Sequence, residues 1–150
     1  MHSIRVSSQK MSFSAAHFVL GNEYCENLHG HNYIMDLIIE GELDENGMVM
    51  DFKNIKKQAI RICKILDHKV LLPGESQRIE VKQINDSIQV LVSGKRYVFP
   101  PEDCVILPFE ATTAELLAEY IAKQLKIPEN LKLQVCVGEN VGSIGCYKIS

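Results

Sequence analysis

His29-Gly30-His31-Asn32-Tyr33-Ile34-Met35-Asp36-Leu37-Ile38-Ile39-Glu40 is the stretch whose reading decides the architecture. Side chains of a strand alternate between its two faces, so His29, His31, Tyr33, Met35, Leu37 and Ile39 point one way. The spacing predicts a strand over about 29–42. Upstream, residues 4–18 read as an extended strand with Met11, Phe13, Ala15 and His17 on one face. The polar run from Gly21 to Asn27 between them reads as a loop, so the two strands are expected to pair as an antiparallel hairpin. Downstream, Asp44-Glu45-Asn46-Gly47 is a turn, and Asp51 is placed to cap a helix over 52–66. Phe52, Ile55, Ala59, Ile62 and Leu66 form the apolar stripe of that helix.

Residues 79–107 alternate as strands about the turn Ser93-Gly94-Lys95, and read as a β-hairpin inserted between two helices. Thr112 and Glu115 match a capping box for a second helix over 113–125. Two last strands fit 131–139 and 144–149. The expected class is α+β: one domain over 1–150, an antiparallel sheet with two helices on one face.

Bulk composition agrees with that class. A chain of 150 residues buries roughly 70% of its unfolded surface on folding, so a hydrophobic core suffices. The net charge of −3 argues against nucleic acid as the main partner. No apolar run reaches the roughly 18 residues of a membrane span, and no apolar signal segment follows Met1, so a cytoplasmic protein is expected. The cysteine number, 5, is odd and no CxxC pair occurs, which argues against a disulfide framework or a thiolate zinc knuckle.

The histidines carry the chemistry. His29 and His31 share a strand face, and His17 lies opposite on the hairpin. A histidine on an apolar face is ordinarily a hydrogen-bonded core residue. Three converging on one point instead suit zinc, and three protein ligands leave the open position of a catalytic centre. Cys25, four residues before His29, is a candidate fourth ligand, nucleophile or base. Cys63, Cys104, Cys136 and Cys146 read as small buried hydrophobes. Asp67-His68 is either an orienting carboxylate with an acid/base imidazole or a histidine that complements a helix C-terminus. Glu139 ends the apolar row Leu133, Val135, Val137, where it can receive paired N–H donors or stand in solvent.

Taken together, Phe13-Ser14-Ala15-Ala16-His17, Cys25-Glu26-Asn27-Leu28-His29-Gly30-His31-Asn32, Gly47-Met48-Val49-Met50-Asp51-Phe52, Leu66-Asp67-His68, Thr113-Ala114-Glu115 and Val137-Gly138-Glu139 resemble the 6-pyruvoyl-tetrahydropterin synthase superfamily. Within it, the spacing of Cys25 to His29-Gly30-His31 is most similar to the carboxy-forming branch, the 6-carboxy-tetrahydropterin synthases of the queuosine and archaeosine precursor pathway. The resemblance covers about residues 11–72 and 109–149. It implies a tunnel fold whose subunits form trimers, and hexamers of two trimers, by closing their sheets into a barrel with active sites at the subunit interfaces.

The resemblance implies 7,8-dihydroneopterin triphosphate as substrate. His17, His29 and His31 would hold zinc, Cys25 would be a base, and Asp67 and His68 its acid/base partners. Glu139 would grip the 2-amino-4-oxo edge of the pterin, with Thr113 and Glu115 near the ring. The sequence departs from the family at the insertion, at Leu116, where many relatives carry Asn, and at Glu26. A glutamate near this last place serves in a related subgroup as the base that releases 6-hydroxymethyl-7,8-dihydropterin from dihydroneopterin. The readings that compete are therefore pyruvoyl formation, aldolase-like cleavage or dual activity, and a non-catalytic zinc or pterin-binding module. Cys25 and Asp67-His68 speak against the module, which needs neither.

Overall fold

A computed structural model describes residues 1–21, 25 and 27–150. Its main sheet is built from β1 (His2–Val6), β2 (Ser12–His17), β3 (His29–Gly41), β4 (Lys69–Pro73), β8 (Cys104–Leu107), β9 (Lys132–Asn140) and β10 (Ser143–Ile149). Two helices, α1 (Phe52–Leu66) and α2 (Ala114–Gln124), pack on it. The strand order is β10-β9-β3-β2-β4-β8, with β1 also paired to β3. Pairing is antiparallel from β10 to β2 and parallel at β2-β4 and β4-β8. The α+β class expected from the sequence is the class the chain adopts.

β3 is the spine. Its inward row Tyr33, Met35, Leu37 and Ile39 is fully buried. It meets Phe13 from β2, Leu133, Val135 and Val137 from β9, and Ile55, Ala59, Leu66, Leu117 and Ile121 from the helices. Burial of side chains of this size stabilises by roughly 1.5–3 kcal/mol each. Beyond Tyr33 the same face continues as His31 and His29, so the row that builds the core runs directly into the histidines.

Several local expectations are corrected. The strand expected over 4–18 is two strands. The chain turns at Ser8, whose carbonyl accepts from the Met11 N–H at 2.9 Å, and β1 then pairs with the far half of β3, His2 opposite Gly41. Phe52 is 47% exposed. It stands on the first turn of α1, outside the buried stripe, while Cys63 joins that stripe. Asp51 does cap α1, accepting from the Lys53 N–H at 2.8 Å. In place of a hairpin, the inserted segment forms a three-stranded meander, β5 (Ile79–Ile84), β6 (Ser87–Val92) and β7 (Lys95–Phe99), and its tail enters the main sheet as β8.

The expected capping box is absent. Thr113, not Thr112, caps α2, accepting from the Leu116 N–H at 3.3 Å. Tandem threonines offer two caps one residue apart; the Thr112 hydroxyl is buried with no hydrogen-bond partner, while its backbone carbonyl accepts from His17. Cys136 and Cys146, expected as thiols, are joined as a disulfide. They are direct partners across β9 and β10 with Cα atoms 4.1 Å apart, a register that no local spacing motif reveals. The argument from cysteine number against a disulfide framework therefore does not extend to this pair. Cys25, Cys63 and Cys104 are outside any disulfide, and burial pushes the Cys63 thiol up to about 12. Among the described residues no helix is long and apolar enough to cross a membrane.

Candidate metal centre and its surroundings

His17 and His29 are direct cross-strand partners, and His31 is opposite Ala15. Gly30 lets the strands close between the two β3 histidines: a Cβ there would lie 3.0 Å from the Ala15 carbonyl oxygen. The three rings meet edge to face, with centroids 4.7 Å (His17–His29), 5.2 Å (His17–His31) and 5.0 Å (His29–His31) apart. One nitrogen from each lies within 4.8 Å of the others.

Hydrogen bonds fix which nitrogen is offered. The His17 Nδ1–H donates to the Thr112 carbonyl at 2.9 Å, and the His29 Nδ1–H donates to the Asn27 carbonyl at 2.7 Å. In neutral imidazoles this makes Nε2 the acceptor nitrogen of both rings, the arrangement that orients metal-bound histidines elsewhere; the Tyr33 hydroxyl lies 3.4 Å from His17 Nε2. The Nε2 of His31 is buried with no hydrogen-bond partner, and such an orphan is costly unless something binds it. His17 is fully buried, and that burial is the main cause holding its pKa below the ordinary histidine value. A ligand must be neutral, so burial, tautomer and orphaned nitrogen all fit a metal ion.

The ligand space opens into a cavity of about 480 Å³ lined by His29, His31, Thr113, Glu115, Glu139 and Gly145, among others. The Glu139 carboxylate stands 3.8 Å from His17 Nε2 and 3.7 Å from His31 Nε2. Gly145 brings β10 against the first turn of α2, since a Cβ there would lie 2.6 Å from the Glu115 backbone nitrogen. Thr113 is both cap and cavity wall, whereas Glu115 is exposed beside it. The sequence reading missed the Thr112 and Asn27 carbonyls, whose roles have no residue-type signal. It also missed Tyr33, whose hydroxyl lies 3.2 Å from His17 Nδ1. Its position on the same face two residues after His31 was the available clue.

Cys25 is half-buried in an isolated bridge with Leu20 and does not line the histidine cavity. Glu26 lies outside the described residues. Asp67 and His68 are brought together, with Asp67 Oδ2 2.9 Å from His68 Nδ1. His68 does not line the cavity that holds Glu139; it lines one of about 530 Å³ with Ser14, Asn32, Lys69, Asp103 and His31, the last of which borders both cavities. His68 has φ of 59°, an uncommon conformation for a side-chain-bearing residue and one often retained at functional sites. Its N–H donates to the Ser14 carbonyl at 2.6 Å.

The Ser14 N–H donates to Asp67 Oδ1 at 2.8 Å, and this bond is the main cause that holds the Asp67 pKa below the usual carboxylate value. A depressed folded pKa gives stability that is present above the unfolded value of about 3.9 and lost as pH falls through the folded value. Asp67→Asn is expected to lower the urea midpoint at pH 7 and to narrow the gap to wild type as pH falls through the acid range. A gap unchanged between pH 7 and pH 2 would count against the ionised carboxylate.

Comparison with known proteins adds the family. Residues 6–148 match the family described as 6-pyruvoyl tetrahydropterin synthase. The chain belongs to that family. It is 35% identical over 148 residues, 92% of this chain and 90% of the other, to a Methanocaldococcus jannaschii protein provisionally named 6-carboxy-5,6,7,8-tetrahydropterin synthase. Over 62 residues, 41% of this chain and 53% of the other, it is 44% identical to a dihydroneopterin monophosphate aldolase of Pyrococcus furiosus. The crystal structure of 6-pyruvoyl tetrahydropterin synthase from Plasmodium vivax superposes with a TM-score of 0.94 at 30% identity, covering 99% of this chain and 98% of that one. The tunnel fold is thereby shown, and the histidine group is a metal-capable cluster within a family of pterin enzymes.

Proposed function

We propose that the chain is a zinc-dependent lyase that converts 7,8-dihydroneopterin triphosphate to 6-carboxy-5,6,7,8-tetrahydropterin. The observation that carries this reading is the convergence of His17, His29 and His31, tautomers set and His31 Nε2 orphaned, in the cavity that also holds Glu139. Zinc held there would supply Lewis acidity to the side-chain oxygens and so acidify the neighbouring carbon-bound protons.

The chain's own residues divide the remaining work. Glu139 accepts from the N–H groups of the pterin's 2-amino-4-oxo edge, with Thr113 and Glu115 flanking the ring. Cys25 takes a proton from a side-chain carbon. The Asp67 carboxylate orients His68, which returns a proton. The carboxyl product retains one of the three side-chain carbons. The other two leave as an aldehyde, the triphosphate is eliminated, one water supplies the second carboxyl oxygen, and the two electrons gained by the ring come from the side-chain carbons, so no external oxidant is required.

His68 does not line the cavity that holds Glu139, although His31 borders both that cavity and the one His68 lines. An oligomer resolves this if His68 of one subunit faces Cys25 of the next. The edge strands β8 and β10 are unpaired on their outer sides among the described residues and carry exposed Ile106 and Ile144, as closure into a shared barrel requires. The aldolase relative favours a second reading, in which Glu26 supports cleavage to the hydroxymethyl product.

Incubation with 7,8-dihydroneopterin triphosphate, followed by mass spectrometry of the pterin, tests the proposal. The 6-carboxy product is expected. A 6-hydroxymethyl product would move the chain to the aldolase reading. A product that keeps all three side-chain carbons would move it to pyruvoyl formation.

A further inference from the structure

The inserted meander has an apolar face that no part of the main core covers. Ile79, Ile88, Val90 and Val92 form a second cluster with Phe18 and Leu72, and Leu20, Cys25 and Leu28 pack against it. Leu20, Cys25 and Leu28 therefore rest on the insertion. Polar contacts hold both ends: Arg78 Nη1 donates to the Gly21 carbonyl at 2.6 Å, and Lys95 Nζ donates to the Asn27 side-chain oxygen at 2.8 Å. Lys95 is placed by a two-residue turn in which Ser93 and Gly94 have φ of 51° and 75°, the left-handed pair that suits a tight hairpin. The backbone carbonyl of the same Asn27 accepts from His29 Nδ1 at 2.7 Å.

We propose that the inserted sheet seats Leu20, Cys25 and Leu28, and that Lys95 is a positioning residue which, through Asn27, orients His29 in the metal centre. This rests on the metal reading of the histidine triad. A continuous line of contacts runs from an exposed cation of the insertion, through the Asn27 side chain and carbonyl, to the ring nitrogen opposite the one offered to the metal. Its partners are separated by 68 residues of sequence, so the insertion supplies a constraint that the Asn27 segment cannot supply for itself. Partners that orient a metal-bound histidine are typically worth 10–100-fold in metal affinity, and a residue one contact further out belongs at the lower end.

The test is zinc affinity, by competition with a chelator, for wild type, Lys95→Ala, Asn27→Ala, the double variant and Lys95→Arg. Lys82→Ala, which removes an exposed lysine that pairs with Glu80 on the same sheet, is the control. Lys95→Ala and Asn27→Ala should each weaken zinc by about tenfold. The double variant should be no weaker than either single one, because both break the same contact. Lys95→Arg should recover most of the loss, and Lys82→Ala should match wild type.

Unchanged affinity in Lys95→Ala, or losses that multiply in the double variant, would overturn the proposal. Backbone hydrogen exchange at Cys25 and Leu28 reads the seat without metal: both amides should exchange faster in Lys95→Ala than in Lys82→Ala. If wild type binds no zinc, the metal reading fails and the proposed link to His29 falls with it, while the exchange rates still decide whether the insertion seats Cys25 and Leu28.

Discussion

Cys25→Ala is expected to lose about 10²–10⁴-fold in carboxy-forming turnover, the usual worth of a general acid or base, while retaining its metal and its fold. The histidine cluster does not include Cys25, so the metal content should be that of wild type. The side chain is only half-buried, at the edge of the second apolar cluster, so the change to alanine removes one sulfur from a site that solvent already reaches. The expected cost in stability is small beside that of a core truncation, which runs to several kcal/mol. Turnover, zinc content and thermal midpoint measured on one preparation separate the roles. Normal turnover would make Cys25 a packing residue of the insertion's face. Lost zinc would make it a ligand.

His31→Ala is the variant with the largest expected effect on the metal. It removes a buried side-chain nitrogen that makes no hydrogen bond, while His17 and His29 keep their carbonyl acceptors. Two imidazoles cannot complete the three-ligand catalytic arrangement of zinc, so the variant should lose most of its zinc on dialysis and with it the carboxy-forming activity. It should not lose the fold. Its side chain is 22% exposed, and the packed row of β3 begins at Tyr33, two residues further on. A thermal midpoint at or above that of metal-free wild type is expected, since the substitution removes an unsatisfied buried polar atom.

The face of β3 and the pairing of His17 with His29 were legible in the sequence because both follow from a period of two. The same alternation that places Met35 and Leu37 in the core places His29 and His31 beside His17. The cap of α1 was legible because Asp51 has no competing neighbour. The cap of α2 was not: Thr112 and Thr113 are equivalent by residue type, and which hydroxyl meets the first turn depends on where the chain enters the helix. The break between β1 and β2 was hidden by residues that suit either strand or turn. The Cys136–Cys146 bond was hidden because cross-strand register depends on the β9–β10 connection, which carries an irregularity at Ser143 and Ile144. Asp67-His68 was legible as a pair, through adjacency. That His68 does not line the cavity holding Glu139 follows from how the chain leaves α1 for β4 and has no local signature.

Zinc titration into chelated protein, with product formation followed in the same samples, tests the central claim most directly. In wild type, the account predicts that 6-carboxy-tetrahydropterin formation from dihydroneopterin triphosphate rises in proportion to added zinc and levels at about one ion per subunit, as a single three-histidine site requires. His31→Ala should stay near baseline over the same range. Full turnover by zinc-free wild type, or equal zinc uptake by wild type and His31→Ala, would contradict it.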